Sequence, residues 1–312
     1  MCKFAHLHNL QIIKMIKPPY LKAGDKIAIV CPAKKLPGPI DEAIKIIESW
    51  GLEVVVGETV GASFRQYAGD DDLRTKDLQR FLDDDSVKAI IAARGGYGTV
   101  RIIDRLDFTR FKTNPKWIVG FSDITVLHSH ILAQFEIQTI HGQMPVVIPE
   151  GTITSLDTLK KALFGDDLSY EYQSSHPNKP GKSEGILIGG NLTLLVMMNG
   201  SVSEMDFKDK ILFIEDVGEY YYSIDRMLWN LKRSGKLSGL KGLIVGGFTA
   251  LKDFEEPFGQ TVEEMVFDHV KDYDYPVCFD FPAGHISDNH ALIFGKTVDL
   301  SIESTSVKIS YK

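Results

Sequence analysis

Short apolar runs alternate along the first half of the chain with stretches whose apolar residues recur at helical spacing. Lys26–Cys31, Leu52–Val56, Val87–Ala93 and Trp117–Phe121 have the length and apolar content of buried strands. Between them, Pro39–Trp50 places Ile40, Ala43, Ile44, Ile46 and Ile47 mostly on one face and stops at Gly51, which predicts a helix. Asp71–Asp84 turns Leu73, Leu78, Phe81 and Leu82 inward and predicts a second. Thr99–Leu106 is expected as a short helix after a glycine-rich turn, and another runs from about Asp123 to Ala133. Strands that are apolar throughout, rather than at alternate positions, belong to a parallel sheet covered on both faces. Such sheets hold their ligands outside the C-terminal ends of the strands.

The pattern changes near residue 150. Gly151–Pro180 shows a short helix and then the polar stretch Ser174–Lys182, which reads as a linker or exposed loop. Beyond it come Gly185–Gly190, a helix through Leu194–Val196, the strand Ile211–Ile214 and a helix near Ile224–Arg233. The strand Gly242–Phe248, a helix near Val262–Val270 and the late strand Val307–Tyr311 follow. The expected fold is α/β, with an N-terminal parallel-sheet domain at 15–150, a linker at 151–180 and a smaller, mixed C-terminal domain at 181–312. Residues 1–14 are expected as a tail or start-site extension.

Composition narrows the function classes. A chain of 312 residues fits two domains. A net charge of -7 argues against nucleic acid as the main ligand. Cys2, Cys31 and Cys278 are an odd, scattered set that forms neither a disulfide framework nor a zinc spacing and suits a reducing compartment. No apolar run approaches the roughly 20 residues of a membrane span, and Met1–Lys17 lacks the apolar core of a secretory signal, so a cytoplasmic protein is expected. His128 and His130 stand two apart on a helix and do not share a face, so no metal is expected. No cofactor is implied either.

Four segments could carry chemistry. Gly120-Phe121-Ser122-Asp123-Ile124-Thr125 puts a serine where a buried strand turns into a helix. Free backbone N–H groups gather there, and the N–H of Asp123 could stabilise an oxyanion. The elbow pattern G-x-S-x-G is half met, since Ile124 takes the last place. On this segment alone a helix cap is the better reading of Ser122. Ala93-Arg94-Gly95-Gly96-Tyr97-Gly98 follows another strand at the same sheet edge; Gly96 N–H is a candidate second donor. The third glycine of a dinucleotide fingerprint is missing, as Thr99, Val100 and Arg101 follow. In Ile214-Glu215-Asp216-Val217-Gly218-Glu219 a carboxylate ends a strand, with Asp216 and Glu219 as rivals of Glu215. In Gly284-His285-Ile286 a histidine is placed as a mobile base, with His141 its main rival. A non-catalytic nucleotide- or sugar-binding module, cradling phosphate on Gly95–Gly98, remains open at this point.

Taken together and in order, these segments resemble the LD-carboxypeptidase family of serine peptidases, which includes microcin C immunity-type hydrolases. The resemblance runs from about Met15 onward, anchored on Lys22–Ala28, Ala93–Gly98, Gly120–Thr125, His141-Gly142, Ile214–Asp216 and Gly284-His285. It implies a flavodoxin- or Rossmann-like N-terminal domain, a homodimer, and a Ser122–His285–Glu215 triad with Gly96 and Asp123 as oxyanion donors. By resemblance the substrate is a murein tetrapeptide, cleaved before its terminal D-alanine in cell-wall recycling. Arg94 and Arg226 are candidate clamps for the terminal carboxylate, and Tyr97 and His141 further candidate substrate contacts. The microcin-type alternative cleaves a peptidyl-nucleotide and calls for an aromatic platform; Trp50, Trp117 and Trp229 all lie outside the 150–190 region where one is expected.

Overall fold

A computed structural model describes residues 15–312; the expected tail at 1–14 lies outside them. Five strands, β1 (Lys26–Val30), β2 (Glu53–Val56), β3 (Val87–Ala92), β4 (Trp117–Gly120) and β5 (Thr139–His141), form the first sheet in the order β2-β1-β3-β4-β5. All four pairings are parallel. This is the flavodoxin-like order, and its switch point lies between β1 and β3. Helices α1 (Asp41–Ser49), α2 (Asp71–Asp83), α3 (Thr109–Thr113), α4 (Thr125–Phe135) and α5 (Ile153–Phe164) accompany the strands. The Asp70 carboxylate starts α2 by accepting the Leu73 N–H at 2.8 Å, with Asp71 and Asp72 in the favourable first turn.

The second sheet has seven strands. These are β6 (Ser169–Gln173), β7 (Gly181–Asn191), β8 (Lys210–Val217), β9 (Gly242–Thr249), β10 (Val277–Cys278), β12 (Thr297–Ile302) and β13 (Ser306–Tyr311). β7, β8, β9 and β10 run parallel, and β12, β13 and β6 extend the sheet antiparallel from β7. α6 (Leu192–Met197), α7 (Tyr221–Arg233) and α8 (Val262–Val270) complete the set. The remaining strand, β11 (Leu292–Phe294), crosses back and pairs antiparallel with β5 as the edge of the first sheet.

Two expectations change. The stretch expected as a linker at 151–180 holds, besides the short helix read there (α5), a strand, β6. Thr152 caps α5 by accepting the Ser155 N–H at 3.0 Å, and Leu159, Ala162 and Leu163 give it a buried face. Ser169–Gln173 pairs with β13 and buries Tyr170. The helix expected over 99–106 is two 3₁₀ turns, Thr99–Arg101 and Ile103–Arg105. Its start is fixed from outside, because the Asp123 carboxylate accepts the Thr99 N–H at 2.8 Å.

One apolar core runs through both sheets, joining Trp117 and Ile140 of the first to Phe213 and Ile244 of the second through Phe294 of β11. A second cluster, including Ile90, Phe111 and Ile131, covers the other face of the first sheet. The lobes also meet where β7 approaches the start of α4. A Cβ on Gly190 (φ 138) would stand 2.6 Å from Thr125 Oγ1, so only glycine fits there. The Asn191 N–H then donates to Thr125 Oγ1 at 3.1 Å. The C-terminal ends of β4 and β8 come together through His285, which touches Phe121 after β4 and Glu215 of β8.

Candidate active site

Ser122 follows β4 at a single 3₁₀ turn, Ser122–Ile124, that leads into α4. Its φ is 62, in the left-handed region that a serine enters only under constraint. Phe121 and Ile124 hold the N-cap positions of this turn and of α4, so the capping role weighed from the sequence is not the one Ser122 fills. A Cβ on Gly95 would stand 2.9 Å from Ser122 Cβ, 3.2 Å from its Oγ and 3.3 Å from the Asp123 backbone N. The glycine-rich loop after β3 thus rests directly on Ser122 and the first amide of the following turn. Gly96 and Tyr97 are exposed beside it.

Two buried side chains hold these loops. The Asp123 carboxylate takes the Thr99 N–H, and its burial pushes its pKa up against the lowering effect of that hydrogen bond. Arg74 of α2 is fully buried. Its Nη1 donates to Pro32 O at 2.7 Å and Gly98 O at 2.9 Å, tying the loop after β1 to the loop after β3. Nothing in the sequence marks Arg74, which stands on the helix among Asp71, Asp72 and Lys76 and reads as part of a solvated face.

From the second lobe, Glu215 lies fully buried near the C-terminal end of β8, and its Oε2 accepts from His285 Nδ1 at 2.6 Å. Burial disfavours the imidazolium, but the charge and hydrogen bond of Glu215, helped by Asp216, outweigh it and raise the His285 pKa. Gly284 (φ 119) makes the contact possible, since a Cβ there would stand 3.0 Å from Glu215 Oε2. Asp216, the rival acid, faces elsewhere. It accepts from Asn191 Nδ2 at 2.8 Å, Thr193 N at 2.9 Å and Thr193 Oγ1 at 2.8 Å, and so fastens α6 to β8. The His285 ring meets Phe121 edge-on at 4.9 Å between centroids, which puts it against the residue that precedes Ser122.

The candidate substrate contacts separate. His141 is wholly buried, which corrects its placement at a substrate surface. Its Nε2–H donates to Asn289 Oδ1 at 3.0 Å, and the same oxygen accepts the Gly284 N–H at 2.8 Å. Burial lowers the His141 pKa to about 3, so the ring is neutral and acts as a prop beneath the His285 loop. Asn289 was not among the residues singled out from the sequence, although it lies in the polar run after His285. Arg94 Nη1 donates to Lys35 O at 2.6 Å. Arg226 lies on α7, over the Tyr222 ring at 5.2 Å and 3.3 Å from Ser223 Oγ. Tyr97 stands 46% exposed against Tyr67, at 6.2 Å between ring centroids, and is open to a ligand. Among the described residues, His176, Glu263 and Asp280 form one group compact enough for a metal. Asp280 there already accepts from Ser174 Oγ at 3.0 Å, Ser175 N at 2.8 Å and His176 Nδ1 at 3.0 Å, so it serves the 174–176 loop.

Two family models match, the LD-carboxypeptidase N-terminal domain over residues 27–142 and the LD-carboxypeptidase C-terminal domain over residues 184–300. The chain belongs to the LD-carboxypeptidase family. A probable murein peptide carboxypeptidase of Bacillus subtilis is 35% identical over 93% of this chain and 93% of that protein. A murein tetrapeptide carboxypeptidase of Pseudomonas aeruginosa is 31% identical over 88% of this chain and 92% of that one. The crystal structure of a muramoyltetrapeptide carboxypeptidase from Oxalobacter formigenes superposes with TM-score 0.83 at 28% identity, covering 92% of this chain and 98% of that one. A microcin C7 self-immunity protein bound to aspartyl sulfamoyl adenosine gives TM-score 0.84 at 19% identity over 96% of this chain and 99% of that one, which shows the shared fold alone. Ser122 lies inside the first matched span of this LD-carboxypeptidase, and Glu215 and His285 lie inside the second.

Proposed function

We propose that this LD-carboxypeptidase is a serine enzyme that releases the terminal D-alanine of murein tetrapeptides, and that Ser122, His285 and Glu215 are its catalytic residues. The observation that carries the reading is the 2.6 Å bond between a buried carboxylate and His285, set against the strained turn that presents Ser122. His285 takes the Ser122 proton as the hydroxyl oxygen attacks the carbonyl of the diamino acid, at its L-centre. The tetrahedral oxyanion is met by the Asp123 and Gly96 N–H groups. As the C–N bond breaks, His285 returns the proton to the departing D-alanine amine. Water, deprotonated by the same imidazole, then hydrolyses the ester on Ser122. Glu215 holds the Nδ1–H tautomer and stabilises the imidazolium formed in each half.

By the same resemblance the protein works in the cytoplasm, in cell-wall recycling, as a homodimer; sedimentation measures the last point directly. No helix among the described residues is long and apolar enough to cross a membrane.

The reading is tested by incubating the protein with a disaccharide-free murein tetrapeptide and following free D-alanine by mass spectrometry. Release by the wild type and its loss in Ser122→Ala and His285→Ala are expected. Cleavage of a peptidyl-adenylate in place of the tetrapeptide would move the substrate to the microcin class while leaving the serine chemistry intact.

A further inference from the structure

We propose that Lys34 is the clamp for the free α-carboxylate of the residue this enzyme releases. The inference rests on the carboxypeptidase reading above and names the group that makes it specific for a chain end. A chain end differs from a chain interior by one negative charge next to the scissile bond. Here that charge approaches a site beside which Glu215 and Asp216 are buried, in a chain of net charge -7. A cation on the Ser122 side is needed to make the approach favourable.

The loops around Ser122 carry several cations, and most are committed. Arg74 spends its guanidinium on Pro32 O, Gly98 O and Asp71. Arg101 forks onto both Asp71 oxygens, at 3.0 Å and 2.6 Å. Lys35 Nζ donates to Ser63 Oγ at 3.0 Å, and Arg94 donates to the Lys35 carbonyl.

Lys34 differs. Its backbone N–H donates to Gly95 O at 3.3 Å, and Gly95 is the residue that rests on Ser122. Its side chain runs along Gly96, where an added Cβ would stand 2.7 Å from Lys34 Cβ and 3.0 Å from its Cδ. The bare Gly96 therefore lets the aliphatic stem lie against the loop that supplies a proposed oxyanion donor, with the charged head beyond it. Lys34 is half-buried, and among the described residues its ammonium makes no ion pair within 4.0 Å. A compact point charge on a flexible stem suits a carboxylate that must enter and leave each turnover. Such a contact is made equally to the bound substrate and to the transition state, so its loss raises KM more than it lowers kcat.

The test compares wild type, Lys34→Met and Lys34→Arg on two peptides: the tetrapeptide with a free D-alanine carboxylate, and the same peptide ending in D-alaninamide. Methionine keeps the apolar stem on Gly96 and removes only the charge. The wild type is expected to prefer the free acid. In Lys34→Met, KM for the acid rises about 10- to 100-fold, as for loss of a charge-assisted hydrogen bond, and the acid-to-amide preference in kcat/KM collapses toward one. Lys34→Arg restores part of the preference. A preference that survives in Lys34→Met overturns the clamp while leaving the carboxypeptidase reading in place. No release of D-alanine by the wild type overturns both.

Discussion

At the scale of single residues, the proposed mechanism places the pH dependence of the reaction on His285. A general base works only when neutral, so kcat/KM rises with pH through the His285 pKa. Burial alone would put that pKa below its ordinary 6.5, yet the Glu215 carboxylate at 2.6 Å and the charge of Asp216 hold it above. The acidic limb of the wild-type profile is therefore expected above 6.5. Glu215→Gln keeps an oxygen acceptor and removes the charge. The limb should move to lower pH, while kcat falls on the order of 10³–10⁴-fold because the tautomer is no longer enforced. A limb that stays in place would assign the titration to a different group. From the residues alone neither member of this pair stood out over its rivals, Asp216 and Glu219 for the acid and His141 for the base. It was the resemblance to the LD-carboxypeptidase family that singled out Glu215 and His285. Glu215 and Asp216 are adjacent in sequence but face opposite ways on β8, one to His285 and the other to Asn191 and Thr193.

At the scale of elements, the position of the Ser122 turn depends on loops that belong to other strands. Arg74 carries this dependence. It reaches from α2 to Pro32 O after β1 and Gly98 O after β3, so one guanidinium sets the spacing of both loops at the switch point of the sheet. Arg74→Met fills a similar volume but removes the guanidinium donor from Pro32 O, leaves Gly98 O with the Arg101 N–H, and leaves the Asp71 carboxylate with Arg101 as its remaining partner. A loss of about 3–5 kcal/mol is expected, as for breaking a buried charge pair, together with a fall in kcat. Urea titration and turnover of the surviving folded fraction check the two effects separately. Stability within 1 kcal/mol of wild type, an unperturbed value on the scale of ordinary surface changes, would show that the latch is dispensable. The first four strands and helices α1, α2 and α4 were readable because each keeps one spacing of apolar residues, whereas α3, five residues long, left no pattern to read. β5 and β10 are only three and two residues long and leave no pattern of their own. β6 reads as linker because its exposed positions are polar, although Tyr170 and Tyr172 alternate as an edge strand requires.

At the scale of the whole molecule, β11 makes the lobes interdependent. Three residues from the C-terminal half, Leu292–Phe294, close the edge of the first sheet, and Phe294 sits in the core common to both. No domain boundary drawn along the sequence could show this, because the strand is short and returns from far along the chain. Against this core lie His128 and His141, both fully buried, at 5.7 Å and 5.9 Å from the Phe294 ring. Burial lowers the His128 pKa from 6.5 to about 4, with the Gly120 carbonyl acting weakly the other way. The unfolded chain binds a proton at His128 below pH 6.5, whereas the folded one resists until about 4. Stability from this site is thus complete above the unfolded value and is lost as pH falls through that window, at about 1.4 kcal/mol per pH unit. His285, whose folded pKa is raised, contributes with the opposite sign. The His128 contribution is isolated by His128→Gln, whose Nε2 can still donate to Gly120 O but cannot titrate. The stability difference between variant and wild type, measured in urea at pH 7 and again at pH 5, should shift in favour of the variant by about 2 kcal/mol. A difference independent of pH would mean that His128 opens to water before it takes its proton, and that the core joining the two lobes is looser than its packing implies.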